Sequence, residues 1–155
     1  MSFDWATYIA LAKTLNALPD DSAKRSAISR AYYGVFHVAS NTLKAGGVQT
    51  FPKDQRRSHA KIWNVYKESS KRDCRRIGAK GGRLMDDRHD ADYDAERNFD
   101  RAEVTTFITE VETLATAIAA PANVPEGFIG PLSAPVAQPG LLCRALEAVK
   151  RALGC

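Results

Sequence analysis

The chain lacks any apolar run that could cross a bilayer. Its most apolar stretch, Leu114 to Ala122, is about half of the ~18 residues a span requires and is mostly alanine. Cysteine is scarce: Cys74, Cys143 and Cys155 are odd in number, far apart and form no CxxC. That excludes a disulfide scaffold or a zinc ribbon and fits reduced thiols in a cytoplasmic protein. The first residues, MSFDWATYIA, carry an acid and a Trp where a signal peptide carries Lys or Arg, so no export signal is expected. The three histidines, His37, His59 and His89, are widely spaced, and HExxH and EF-type loops are missing. A phosphate loop and a GxSxG elbow are missing too. Neither a metal nor a cofactor is expected. Cys74 sits in a basic run that could lower a thiol pKa, but it has no partner base in the sequence.

What is present is ordinary for one soluble domain: 155 residues, 45% apolar and 26% charged. The net charge of +4 conceals an asymmetry. Lys53 to Arg83 carries eleven Lys or Arg against three acids, whereas Asp86 to Glu112 carries ten acids against three Arg. Two solvated faces that neutralise each other, in the fold or across a dimer, would account for this. So would a basic block that attracts phosphate, the electrostatic footprint of nucleic-acid binding.

Periodicity is helical nearly throughout, and no alternating strand pattern stands out. The expected fold is therefore all-α, an up-and-down antiparallel bundle of about five helices over residues 1–120. A first helix is expected from Phe3 to Leu18, with Trp5, Tyr8, Ile9, Ala12 and Leu15 on one stripe. A second runs from Ser22 to Lys44 on the stripe Ile28, Tyr32, Val35, Ala39 and Leu43, stopped by Gly46-Gly47. Ser58 is expected to cap a third helix carrying Ile62, Trp63 and Tyr66. Gly78, Gly81 and Gly82 are expected to break the chain before a fourth, Arg83 to Tyr93. Asp100 with Glu103 reads as a capping box for a fifth, whose stripe is Val104, Phe107, Ile108, Val111, Ala115 and Ile118. Five of the seven prolines fall between Pro121 and Pro139, marking residues 121–140 as a linker. Leu142, Ala145, Leu146, Val149 and Leu153 then pattern a short amphipathic helix within 141–155, which needs a docking surface to be stable.

The segment with chemical content is Gly82 to Asp94, GRLMDDRHDADYD. Arg88 and Asp92, four apart, share a helical face and can pair. Asp86, His89 and Tyr93 follow on a neighbouring face. Such a set suits RNA cleavage by transesterification. A histidine can take the 2′-hydroxyl proton or protonate the leaving oxygen, and an arginine can clamp the phosphate and stabilise its transition-state charge. The four acids Asp86, Asp87, Asp90 and Asp92 could hold a cation, but a solvated acidic helix face is the simpler account.

Three pieces in order and spacing, FDWATYIALAKTL, RSAISRAYYGVFHVASNTL and GRLMDDRHDADYD, resemble the bacterial HEPN domain, with Ser58-His59 between the last two. The string Ile28 to Tyr33 and the later Arg-x-x-Ala-Asp-Tyr, Arg88 to Tyr93, carry most of the likeness. The resemblance implies a helical bundle that homodimerises with the functional helix at the dimer cleft. It also implies metal-independent endoribonuclease activity of the toxin-antitoxin or defence type, with a small nucleotidyltransferase-type antitoxin as a partner. Ribonuclease members carry Arg, four to six residues, then His. Arg83 to His89 fits that spacing, while the Arg-x-x-Ala-Asp-Tyr pattern puts the motif arginine at Arg88 and leaves Tyr93 where the histidine would be. The two registers stay open, with Arg88 the favoured position. Tyrosine, with a reference pKa near 10, is a poorer base at neutral pH.

The resemblance further implies that Arg30 and Tyr33 face the functional helix as binding or supporting groups. An Arg30–Asp92 ion pair is the plainest account of both motifs. Tyr32 is expected in the core, His37 as an interior histidine, and His59 as a packing or cap residue that could alternatively touch nucleic acid. A non-catalytic HEPN module binding RNA, nucleotide or a partner protein is the main alternative to the ribonuclease. An adaptor recruited through the C-terminal helix is a third.

Overall fold

A computed structural model of the chain describes residues 3–47 and 58–125. These form five helices: α1 (Thr7–Asn16), α2 (Asp21–Ala45), α3 (Ser58–Lys67), α4 (Arg72–Tyr93) and α5 (Arg101–Ala119), followed by a 3₁₀ turn at Pro121–Asn123. Among the described residues there is no strand, and the architecture is the expected all-α helical bundle. The long α2 touches all four other helices. Its apolar stripe explains why: Ile28, Tyr32, Val35, Ala39 and Leu43 are all buried. Every member of the α5 stripe is buried as well, and the Asp100 carboxylate accepts the Glu103 N–H at 2.7 Å to start that helix. The Glu103 carboxylate turns away from the cap to Arg97, 3.0 Å off.

The first helix is shorter than its periodicity suggests. Asp4 Oδ1 accepts the Ala6 N–H at 3.0 Å, a local turn that holds Phe3 to Trp5 outside α1. At its other end the buried Asn16 amide donates to the Arg101 carbonyl and to Thr105 Oγ1, tying α1 to the start of α5. The backbone of Ser58 opens α3 as its first helical residue. Pro121 to Val124, the beginning of the expected linker, is held against the bundle by Lys71 Nζ donating to the Ala122 and Val124 carbonyls. The remainder of that linker and the expected 141–155 helix lie outside the described residues.

The fourth helix corrects the sequence reading. It does not begin after the glycines but runs through Gly78, Gly81 and Gly82 from Arg72. All three glycines are buried in α4, and what they meet is α3. A Cβ on Gly78 would lie 2.5 Å from Lys67 N and 2.7 Å from the Trp63 carbonyl oxygen. On Gly81 it would lie 2.5 Å from Trp63 Cζ3 and nearer still to Cδ2 and Cε3. Gly81 is therefore a seat for the Trp63 indole and Gly78 a place where the α3 backbone comes close, both positions where only hydrogen fits, while Gly82 faces the end of the Lys67 side chain; none of the three is a break.

Gly81→Ala consequently reverses the usual sign of its substitution. At an exposed helical site alanine gains about 1 kcal/mol over glycine. Here overpacking against Trp63 is expected to cost about 1–3 kcal/mol. A lowered urea midpoint at unchanged slope is the expected readout, and a stabilised variant would overturn the packing account.

Candidate functional site

Helical spacing on α2 sets Ser22, Ser26, Ser29, Arg30 and Tyr33 along one side of a cleft of about 580 Å³. Arg88, Ala91 and Asp92 of α4 form the other side. Arg88 is the best-held group there. Its Nη2 lies 2.7 Å from Asp92 Oδ2, one turn along α4, and donates to the Tyr33 hydroxyl at 2.8 Å. Its guanidinium lies over the Tyr33 ring at 4.9 Å and near the Tyr93 ring at 5.9 Å. The Arg88 side chain is 16% exposed, and its buried Nε has no hydrogen-bond partner. Hydrogen bonds to a charged group contribute roughly 1.5–3 kcal/mol each, enough to hold the side chain in one rotamer.

The structure brings Arg30, Tyr33, Arg88 and Asp92 together but does not pair them as expected. Asp92 is taken by Arg88, and Arg30 lies instead between two rings, 5.2 Å from that of Tyr8 and 5.4 Å from that of Tyr33. The expected Arg30–Asp92 ion pair is therefore replaced by a pair within one helix. A partner four residues away on the same helix needs no long-range closure to meet Arg88.

Arg83 goes elsewhere. It lines a second cleft of about 570 Å³ with Asp86, Asp87, Arg97, Glu103 and Glu110. Five helical residues put it about 140° around α4 from Arg88. His89 is exposed, with its ring 4.8 Å from that of Tyr93, which is itself 69% exposed. The Tyr93 ring thus neighbours both the Arg88 guanidinium and the His89 ring, while His89 itself lies about 100° around α4 from Arg88 and Arg83 lines the other cleft. Asp87 and Asp90 face Arg97 and Asp92 faces Arg88, so these three acids are engaged by arginines. Burial nonetheless raises the Asp87 carboxyl above its ordinary range. Among the described residues no three His, Cys, Asp or Glu side chains converge as a metal site.

Behind Tyr33 lies a hydrogen-bonded unit for which the sequence carries little signal. Trp63 Nε1–H donates to the Tyr32 hydroxyl at 3.1 Å. That hydroxyl lies 3.0 Å from His59 Nδ1, and in the fully buried Tyr32 its hydrogen has this nitrogen as acceptor. The His59 ring stacks on Phe36 at 3.9 Å. Burial first, then the Arg88 charge and His37, lower the His59 pKa to about 4, so this imidazole is neutral near pH 7. His37 stacks on Trp5 at 3.5 Å and is likewise pushed down, by burial and by Lys44. Arg25 was also missed as a structural group. It pairs with Asp21 at 2.7 Å and donates to the carbonyls of Ala91, Asp94 and Arg97, clamping the end of α4 to α2. Only the Asp21–Arg25 spacing was visible in the sequence, because backbone carbonyl acceptors leave no residue signature.

A depressed histidine pKa gives a definite pH dependence. Between about pH 6.5 and 4 the unfolded chain binds a proton at His59 that the folded chain does not. The stability linked to His59 is therefore complete above pH 6.5 and lost as pH falls toward 4. Urea titrations at pH 7.5 and 5 should show a smaller drop for His59→Leu than for the parent chain. Equal drops would show that His59 is not held neutral. Comparisons with protein-family models, with curated proteins and with solved structures find no match.

Proposed function

We propose that this chain is an HEPN-type endoribonuclease that cleaves RNA by internal transesterification without a metal, works as a cytoplasmic homodimer, and belongs to a toxin-antitoxin or defence system. The observation that carries this reading is Arg88, held by Asp92 and Tyr33, with the exposed Tyr93 ring 5.9 Å from its guanidinium and the exposed His89 ring 4.8 Å from that of Tyr93. In the reaction the RNA 2′-hydroxyl attacks the adjacent phosphorus, its proton passes to a base, and the 5′-oxygen leaves with a proton returned to it. Arg88 engages Asp92 and Tyr33 through Nη2, which leaves Nη1 for a phosphate oxygen. His89 is the group suited to the proton transfers, and Tyr93 offers an exposed ring on which a base can stack. A nucleotidyltransferase-type antitoxin is the partner proposed for the same helix.

One observation favours a second reading. Asp92 lies 2.7 Å from Arg88, so the guanidinium charge is already partnered within the chain. A non-catalytic helix that binds RNA or a partner protein would use the same residues for contact alone.

The deciding experiment is incubation of the purified protein with total RNA in EDTA. Cleavage that survives chelation and is lost in Arg88→Ala supports the ribonuclease. His89→Ala should then cost about 10²–10⁴ in rate with the fold intact. Damage by Tyr93→Phe with none by His89→Ala would move the base to Tyr93. If neither substitution changes cleavage, the catalytic reading is wrong and the helix is a binding surface. Sedimentation at moderate salt should return a dimer at micromolar concentration, and monomer alone would overturn the assembly.

A further inference from the structure

The cleft beside Arg88 contains more hydrogen-bonding capacity than its own side chains use. Arg30 lies between the Tyr8 and Tyr33 rings, and among the described residues it has neither a carboxylate nor a hydrogen-bond partner. Ring contacts hold a guanidinium by its face and leave the N–H donors around its edge free for an in-plane acceptor. Ser29, only 5% exposed, lines the same cleft, and its hydroxyl has no partner among the described residues. Ser26 and Ser22 add hydroxyls one and two turns earlier on α2. The lining carries Arg25, Arg30 and Arg88 against the single carboxylate of Asp92, so its charge is positive. Arg25 is committed to Asp21 and Arg88 through Nη2 to Asp92 and Tyr33, so among the described residues Arg30 is the cation of the cleft that has no polar partner.

We propose that this cleft is a subsite for a phosphomonoester, with Arg30 as its main ligand and the Ser26 and Ser29 hydroxyls, one turn apart, as supporting donors. The donor count selects the ligand. A phosphodiester offers two non-bridging oxygens, whereas a terminal phosphate offers three and carries a charge of about −1.5 to −2 near neutrality. A bidentate Arg30 with flanking hydroxyls matches the terminal group. The inference rests on the RNA-directed reading of the adjacent Arg88 in one respect: a phosphate seated at Arg30 would place a phosphorylated RNA end next to Arg88. The same phosphomonoester chemistry could come from a free mononucleotide or inorganic phosphate.

The test is anisotropy of 3′-labelled, 2′-O-methylated oligoribonucleotides that cannot be cleaved, ending in either 5′-phosphate or 5′-hydroxyl. Inorganic phosphate and adenosine monophosphate serve as competitors. The full chain should bind the phosphorylated end about tenfold more tightly than the hydroxyl end. Arg30→Met should abolish that preference. Ser26→Asp, at an exposed position that does not threaten the fold, should abolish it by placing a carboxylate in the cleft. Competition by the mononucleotide as strong as by the phosphorylated oligomer would identify a free nucleotide as the source. Equal affinity for both ends in the parent chain, or a preference that survives both substitutions, overturns the subsite. Hydroxyl-ended RNA bound through Arg88 with no end preference would sink the subsite and keep the RNA reading. Phosphate bound through Arg30, with hydroxyl-ended RNA indifferent to Arg88→Ala, would do the reverse.

Discussion

The indole of Trp63 seated on Gly81 of α4 is the contact on which the rest of the bundle depends. On its own terms α4 is a poor helix. Three glycines lie within it, each costing about 0.8–1.0 kcal/mol relative to alanine. Its charges also oppose its dipole, with Arg72, Arg75 and Arg76 in the first turns and Asp90 and Asp92 in the last two. What offsets these costs is burial of the indole, 1% exposed, in a groove that any side chain would close. The same indole donates its N–H to Tyr32, which carries the hydrogen-bonded run on to His59. One residue of α3 therefore positions both α4 and the aromatic wall of α2.

That arrangement determines what Arg88 can do. Tyr33 stands between the cleft and the half-buried His59, its ring centroid 4.9 Å from the Arg88 guanidinium and 5.5 Å from the His59 ring. A lysine in place of Arg88 could keep a contact with Asp92, but it would have neither the fork for Asp92 and Tyr33 together nor the flat face for the ring. The arginine is thus held rigidly while one end nitrogen stays available. The price is a buried Nε without a partner, a cost typically of 1–3 kcal/mol, tolerated because Nη2 has two partners. A group held this way is preorganised for an anion, whether the anion reacts there or only binds.

Residues that form regular stripes were legible in the sequence. Those of α2 and α5 are buried throughout, and the Asp100 cap forms as expected, since each depends only on local periodicity or local hydrogen bonding. The α4 glycines were misread because glycine has two meanings that composition alone cannot separate: a loop residue, or a place where another backbone or ring comes close. Trp63, fifteen residues before Gly78, was the missing half of the pattern. Among the site residues, Arg88 with Asp92 and Tyr33 with the α4 helix came together, all of them helical neighbours or members of adjoining stripes. Arg30 did not reach Asp92, because a partner already on the same helix competes for it. Spacing alone could not reject the Arg83 register, since Arg83 and Tyr93 are both five residues from Arg88; what separates them is that the Tyr93 ring comes back to within 5.9 Å of the guanidinium, whereas Arg83 lines the other cleft.

The C-terminal end of α4 shows how the site is kept in place without help from its own sequence. No basic residue occupies the last turn of this helix, so nothing on α4 itself answers the partial negative charge of its final carbonyls. Arg25 supplies that cation from α2, donating to the Ala91 and Asp94 carbonyls and, beyond them, to Arg97. Arg97 in turn joins Asp90 of α4 to Glu103 of α5. A helix end satisfied by a neighbouring helix cannot fray independently of it. His89 and Tyr93 are exposed as side chains while their backbone is anchored, and that combination lets two surface rings keep their geometry relative to Arg88.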